Sequence, residues 1–263
     1  MGVAGVAAAT AISQTISAGL VVRCLIKEQG GIHLDLRALK INRKKFARIV
    51  RIGLPAGFQG MVFSLSNVVI QSAVNSFGAV AVAGNSAAAN IEGFVYMAMN
   101  AFYQATISFT SQNYGAREHK RIYRILFAGE LYVIITGVLL GNLAVFFGKP
   151  LLGIYSPSAD VVAAGLGRLK VICTLYALCG MMDVLVGALR GIGYSVVPMV
   201  VSLIGACGLR LLWIATIFQI PQYHSMRVIY ISYPVTWTVT FLVHALTFWI
   251  VSRKALRGLG TQV

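Results

Sequence analysis

IGLPAGFQGMVFSLSNVVIQSAVNSFGAVAVAGNSAAANI, from Ile52 to Ile91, is a run of 40 residues without one charge. About 20 apolar residues cross the hydrocarbon core of a bilayer as a helix, so this run is too long for a single crossing. It divides at Asn75-Ser76-Phe77-Gly78, a cluster of turn-forming residues, into spans near 52–74 and 85–112. The same alternation continues in both directions. A span covers 1–22, and others follow at 123–147, 168–190, 195–219 and 228–252. Gly148-Lys149-Pro150, Ser156-Pro157-Ser158, Gly191-Ile192-Gly193 and Ile220-Pro221-Gln222 punctuate them. The fold class is an all-α polytopic membrane protein with seven transmembrane helices, one plus a six-helix lobe.

Composition agrees. The chain has 263 residues, 58% hydrophobic and only 11% charged, with a mean hydropathy of +0.79. Soluble domains carry about a quarter of their residues as charges, and disordered chains are poor in apolar residues, so both classes are excluded. Lysine and arginine number 22 against 7 acids. On a soluble protein that excess would point to nucleic acid; here it falls between apolar spans and sets their orientation. With the first span ending in the cytoplasm, 17 basic residues lie on the cytoplasmic side and 4 (Lys149, Arg168, Lys170, Arg227) on the outer side. Arg210 falls inside a span. The expected location is a bacterial inner membrane. Met1 then lies outside, with no basic region of a signal peptide before the first span, so the sequence reads as the C-terminal part of a longer chain.

Segment 26–48 is the one substantial polar connector. It is basic, with an amphipathic turn at Leu36, Leu39, Ile41 and Phe46, and reads as a linker resting on anionic membrane lipids. The four cysteines (Cys24, Cys173, Cys179, Cys207) lie in apolar stretches without metal or disulfide spacing. His33, His119, His224 and His244 are scattered, and Gly187 to Gly193 has neither the strand nor the lysine of a phosphate loop. No enzyme signature, metal site or cofactor follows from the sequence.

Four stretches now carry a family resemblance. They are Gly2 to Gln14 (GVAGVAAATAISQ), Ile52-Gly-Leu-Pro55-Ala-Gly57, Gln112-Asn-Tyr-Gly115-Ala-Arg117, and Ala188-Leu-Arg190-Gly191-Ile-Gly193 followed by Pro198. In order and spacing they resemble the second half of a multidrug and toxic compound extrusion (MATE) transporter, from its sixth helix onward. The resemblance implies twelve helices in two six-helix lobes. Residues 1–25 would be the last helix of the N-terminal lobe, 26–48 the cytoplasmic linker and 49–263 the C-terminal lobe, with the N-terminal lobe as missing partner. It also implies export of organic cations or other amphipathic small molecules, driven by inward flow of H+ or Na+. One departure matters. NorM-type members carry a glutamate about eight residues after the Leu-Pro of helix seven, where this chain has Phe63, and Asp183 stands about one turn later than their acid of helix ten.

Polar residues in the spans carry the candidate chemistry, because they are costly in lipid and face cavities or other helices. Gln59, Asn67, Gln71 and Asn75 recur at multiples of four, as do Glu92, Tyr96, Asn100, Gln104 and Ser108, which reads as one stripe per helix. A stripe is either a cavity wall or a seam of helix–helix hydrogen bonds. As a cavity wall it gives Asn67, Gln71, Asn100, Gln104 and Tyr176 as substrate contacts. Cys173, Tyr176, Gly180, Asp183, Gly187 and Arg190 alternate three and four apart on a further face. Asp183 there is the candidate cation-coupling acid. By helical rise, Arg210 is about 10 Å from Asp183 in depth and nearer in depth to Glu92, so Glu92 and Arg210 form the expected structural ion pair. Glu130, near a span end, is expected to be solvated or paired with the basic cluster Arg117 to Arg124.

Two other readings stay open. A lipid-linked oligosaccharide flippase of the same architecture would line its cavity with more basic residues than Arg210, the one arginine plainly embedded. A non-transporting membrane fragment is the other. The charge asymmetry itself is testable: loops 113–122 and 190–195 should be cytoplasmic, and 148–167 and 220–227 outward. A single cysteine at position 119, on a cysteine-free background, should resist an impermeant thiol reagent applied from outside; labelling there would reverse the orientation.

Overall fold

The computed structural model describes residues 2–30, 32–37 and 40–257; Leu39, one corner of the expected amphipathic turn, lies outside them. Their contacts divide into two compact units, Met1–Arg48 and Ile49–Val263, and no strand occurs among the described residues. The first unit holds helix α1 (Gly2–Lys27) and the basic connector. Helix α2 (Arg43–Asn75) begins within that connector, where the Asn42 side chain accepts hydrogen bonds from the amides of Lys44 and Lys45 at 3.1 and 3.2 Å. That satisfies two of the donors a helix start leaves open.

The second unit continues α2 and adds α3 (Ala79–Gly115), α4 (His119–Phe146), the short α5 (Gly148–Tyr155), α6 (Ala159–Ile172), α7 (Ala177–Gly191), α8 (Val196–Ser202), α9 (Leu209–Ala215) and α10 (Met226–Arg257). Gly78 and Gly193 supply the turns before α3 and after α7 with positive φ of 85° and 99°, a conformation that costs a side-chain-bearing residue. At the second turn the Ser195 hydroxyl donates to the Ile52 carbonyl at 2.9 Å, tying it to α2.

Among the described residues, five helical stretches are long and apolar enough to cross a membrane, and α6 with α7, bent by 46° at the break between Leu175 and Ala177, makes a sixth when taken as one span. The seventh expected pass, α3, runs for 37 residues but carries too many amides and hydroxyls to match that apolarity. The main departure from the expected boundaries is at α6. The pass expected to begin at Arg168 begins at Ala159, nine residues and about 13 Å earlier. Arg168 is therefore buried inside the helix rather than placed at its outer end.

Small residues let these helices approach. Where lipid supplies no hydrophobic drive between helices, close backbone packing takes over. Gly129, Val133, Gly137 and Gly141 are buried along successive turns of α4. Gly137 abuts Ala177, and Gly141 abuts the Cys173 carbonyl at the bend. On α7, Gly180 meets Val133 and Met99, while Gly187 and Gly191 meet Tyr103 and Thr110 of α3. At the bend the Thr174 hydroxyl donates to the Lys170 carbonyl at 2.8 Å, a back-bond that favours helix bending. Between α8 and α9 the backbone is π-helical over Leu203–Gly208, where Gly205 packs on Thr240 of α10. Ser202 and the fully buried His244 share a hydrogen bond of 3.0 Å.

Gly84 makes a contact of the same kind with α6, where an added Cβ would sit 2.6 Å from the Val161 carbonyl and 2.8 Å from Ala164 and Gly165. Gly84→Val should lower thermal stability in detergent by more than about 2 kcal/mol. Gly93→Ala on the same helix, with open space at its Cβ, should be neutral or stabilising by up to about 1 kcal/mol. Equal melting temperatures for the two variants would refute the close-packing account.

Candidate functional site

A cavity of about 580 Å³ opens among α2, α3, α6, α7, α9 and α10. Each helix contributes its face by turn geometry. On α3 the lining positions are Asn85, Ala89, Glu92, Tyr96 and Tyr103, at spacings of four, three, four and seven. These keep one face aligned, whereas strict steps of four drift by about 40° each at 3.6 residues per turn.

At one end of the cavity lies a buried polar network. Arg168 Nε and Nη2 donate to the two oxygens of Glu92 at 2.7 and 2.6 Å, and Nη1 donates to Asn85 at 2.8 Å. The Asn85 amide donates to Gln71 at 2.9 Å, and the Gln71 amide to Asn75 at 3.0 Å. Glu92 is 5% exposed and Arg168 8%. The guanidinium also lies 5.7 and 5.6 Å from the ring centres of Tyr230 and Tyr233. This corrects the expected Glu92–Arg210 pair: both Glu92 oxygens are taken by Arg168, which reaches that depth because α6 starts early.

Arg210 stands apart. It is 3% exposed, stacks 3.9 Å over the Tyr233 ring and donates through Nη2 to the Thr236 hydroxyl at 3.2 Å. Its Nε has no hydrogen-bond partner, and no carboxylate pairs with it among the described residues. Tyr233 and Tyr176 flank Trp237, with ring centres 5.6 and 5.5 Å from it. Together they form an aromatic corner beside Arg210.

At the other end, Asp183 borders the cavity, half-buried. The Tyr96 hydroxyl lies against its carboxylate. No ion pair engages it among the described residues. Arg190, two turns along α7, donates through Nη2 to Gln59 at 2.8 Å and through Nη1 to the Tyr103 hydroxyl. Outside the cavity, both carboxylate oxygens of Glu130 are buried without a hydrogen-bond partner among the described residues. The expected solvation or basic pairing of Glu130 does not occur, since α4 begins at His119 and carries Glu130 three turns inward.

Of the residues expected on the cavity wall, Asn67, Gln71 and Tyr176 line it, as do Asp183, Glu92 and Arg210. Asn100 and Gln104 do not. The drift of their stripe turns them away, and Gln104 donates along the helix to Asn100 at 3.4 Å. Asn85, Tyr103, Arg168, Tyr233 and Trp237 line it unanticipated. The signal for Arg168 was available in the apolar residues Val161 to Gly167 before it, which extend the helix outward.

The sequence model of the MatE family matches residues 55–216, more than half the chain. The chain belongs to the MatE family. It is 31% identical over 214 residues to the probable multidrug resistance protein YpnP of Bacillus subtilis, covering 80% of this chain and 47% of that protein. To YoeA of the same organism, likewise named a probable multidrug resistance protein, it is 25% identical over 248 residues, with coverages of 92% and 53%. The chain thus spans about half the length of the curated relatives it matches. Its fold superposes on an outward-facing multidrug resistance MATE transporter of the MOP superfamily with a TM-score of 0.87. That comparison is at 18% identity and covers 98% of this chain and 58% of that one. This MatE chain is therefore a multi-pass membrane protein.

The observed pairing separates the two buried arginines energetically. Glu92→Gln leaves Arg168 buried without its counter-charge and should cost about 3–5 kcal/mol of stability. Arg210→Met removes a charge that has no counter-ion and should be neutral or stabilising. Thermal melts of both variants in the same detergent check this. Equal destabilisation would restore a Glu92–Arg210 pair.

Proposed function

We propose that the chain forms the substrate-bearing lobe of an exporter for drugs or other amphipathic organic compounds, coupled to inward flow of H+ or Na+ at Asp183. MATE proteins are transporters rather than enzymes, and two relatives carry multidrug resistance in their names. The observation that carries the reading is Asp183 itself. It is an acid inside a membrane helix, exposed to the cavity and touched by a tyrosine hydroxyl, yet engaged in no ion pair among the described residues. Glu92, by contrast, is locked by Arg168 and cannot exchange an ion without breaking a buried pair. A carboxylate without a fixed counter-charge can take up a proton or sodium ion and release it as the cavity changes access. Asn67, Gln71 and Tyr176 line the substrate path. The coupling ion is the only cofactor required. The partners are a second, N-terminal lobe, the small-molecule substrate and the surrounding lipids, with no role for nucleic acid. A path between two lobes needs both.

A second reading has an observation of its own. Arg168, Arg190 and Arg210 all border the cavity, so its wall is more basic than Arg210 alone would make it and favours a lipid-linked oligosaccharide flippase as the second reading. Asp183→Asn separates the readings. In cells expressing the transporter that contains this chain, the variant should insert normally and lose ion-driven drug efflux at least tenfold. Normal efflux by Asp183→Asn would remove the coupling role from this residue.

A further inference from the structure

We propose that Arg210 and the aromatic corner beside it bind the anionic head of a planar aromatic compound, so that this lobe accepts aromatic anions in preference to aromatic cations. The proposal rests on the reading of the cavity as the substrate path. Three guanidinium groups border the cavity against two carboxylates. Arg168 is neutralised by Glu92 at 2.6 Å, which leaves Arg190 and Arg210 facing Asp183 alone. Arg190 is held by neutral acceptors, Gln59 and Tyr103. Arg210 is 97% buried by its 3% exposure, has one hydroxyl acceptor for its five N–H groups, and keeps an unpartnered Nε.

A charge buried that deeply without a counter-ion is costly, and its stacking on Tyr233 offsets only part of that cost. Stacking covers one face of the guanidinium, Nη2 gives one N–H to Thr236, and Nε is buried. The remaining N–H groups of the two terminal nitrogens are the donors left for a carboxylate or phosphate. Trp237 and Tyr176 then stand where a planar body joined to that anion would rest, their ring centres 5.5 Å apart. The π-helical turn at Leu203–Gly208, immediately before α9, widens the backbone where Arg210 enters the cavity, and such turns recur at functional sites.

The test is equilibrium binding to the transporter that contains this chain, in nanodiscs of zwitterionic lipid, with empty discs subtracted. The probes are 2-naphthoate, 2-naphthyl phosphate and 2-naphthylmethylammonium, which share one ring system and differ in charge. The wild-type transporter should bind naphthoate at least tenfold more tightly than the ammonium compound. Arg210→Gln should abolish that ratio, and Arg210→Lys should keep part of it. A merely structural Arg210 would shift all three affinities together. Preference for the ammonium compound, no binding of any probe, or an unchanged ratio in Arg210→Gln would each overturn the proposal. A fourth probe, farnesyl phosphate, separates the sources of the anion. Failure to displace naphthyl phosphate supports the aromatic site, whereas displacement at equal or lower concentration would assign it to a polyprenyl phosphate instead. Binding needs no ion gradient, so a failure here is distinguishable from the loss of efflux that tests Asp183.

Discussion

The second unit is organised around a charge that lipid will not hold alone. Arg168 lies well inside a membrane-spanning helix, and its guanidinium would be prohibitively placed there without Glu92. The pair is bidentate, and Asn85 and Gln71 extend it to α2, so one buried charge fixes the rotation of three helices relative to each other. Removing Glu92 would leave the buried Arg168 guanidinium without its counter-charge. The pair is thus a structural constraint, and its use there removes Glu92 from the acids free to carry ions.

The rest of the packing follows from small residues rather than from apolar bulk. The bent pass of α6 and α7 presents glycines to α3 and α4, and α4 returns glycines to the bend. That arrangement brings backbone close enough for Tyr103 and Tyr96 to reach across α7, placing them at Arg190 and Asp183. On α7 the glycines and the polar residues alternate along neighbouring strips of the helix, so close packing on α3 and the placing of Asp183 and Arg190 at the cavity go together. The bend after Cys173–Leu175 lets Tyr176 join the aromatic corner while Asp183 stays with Tyr96.

The cavity is consequently divided in kind. Where Arg168 meets Glu92 the charges cancel and the side chains are locked, whereas Asp183 has no ion-pair partner among the described residues. Arg210 lies against the rings of Tyr233 and Trp237 with donors to spare. A transporter must hold its substrate and its driving ion without trapping either, and unpaired groups serve that better than closed pairs. On the proposed function, the wall divides its residues between structure, the ion and the substrate.

Much of this was readable from residues alone. Uncharged runs broken by Asn-Ser-Phe-Gly and Gly-Ile-Gly determined the helical passes and their turns, because backbone polar groups in lipid must be satisfied within a helix. The three-and-four spacing around Asp183 determined its face. What the sequence did not determine was partnership. Glu92 pairs with Arg168 rather than Arg210 because the apolar residues before Arg168 carry the start of α6 outward and bring Arg168 to the depth of Glu92. Asn100 and Gln104 follow Glu92 at steps of four that drift around α3 and leave the cavity wall. Rotation and depth of one helix against another depend on which small residues touch and which bend occurs, and these are set by contacts between residues far apart in the chain. Only the tertiary structure decided which arginine Glu92 would neutralise and which would be left facing the cavity.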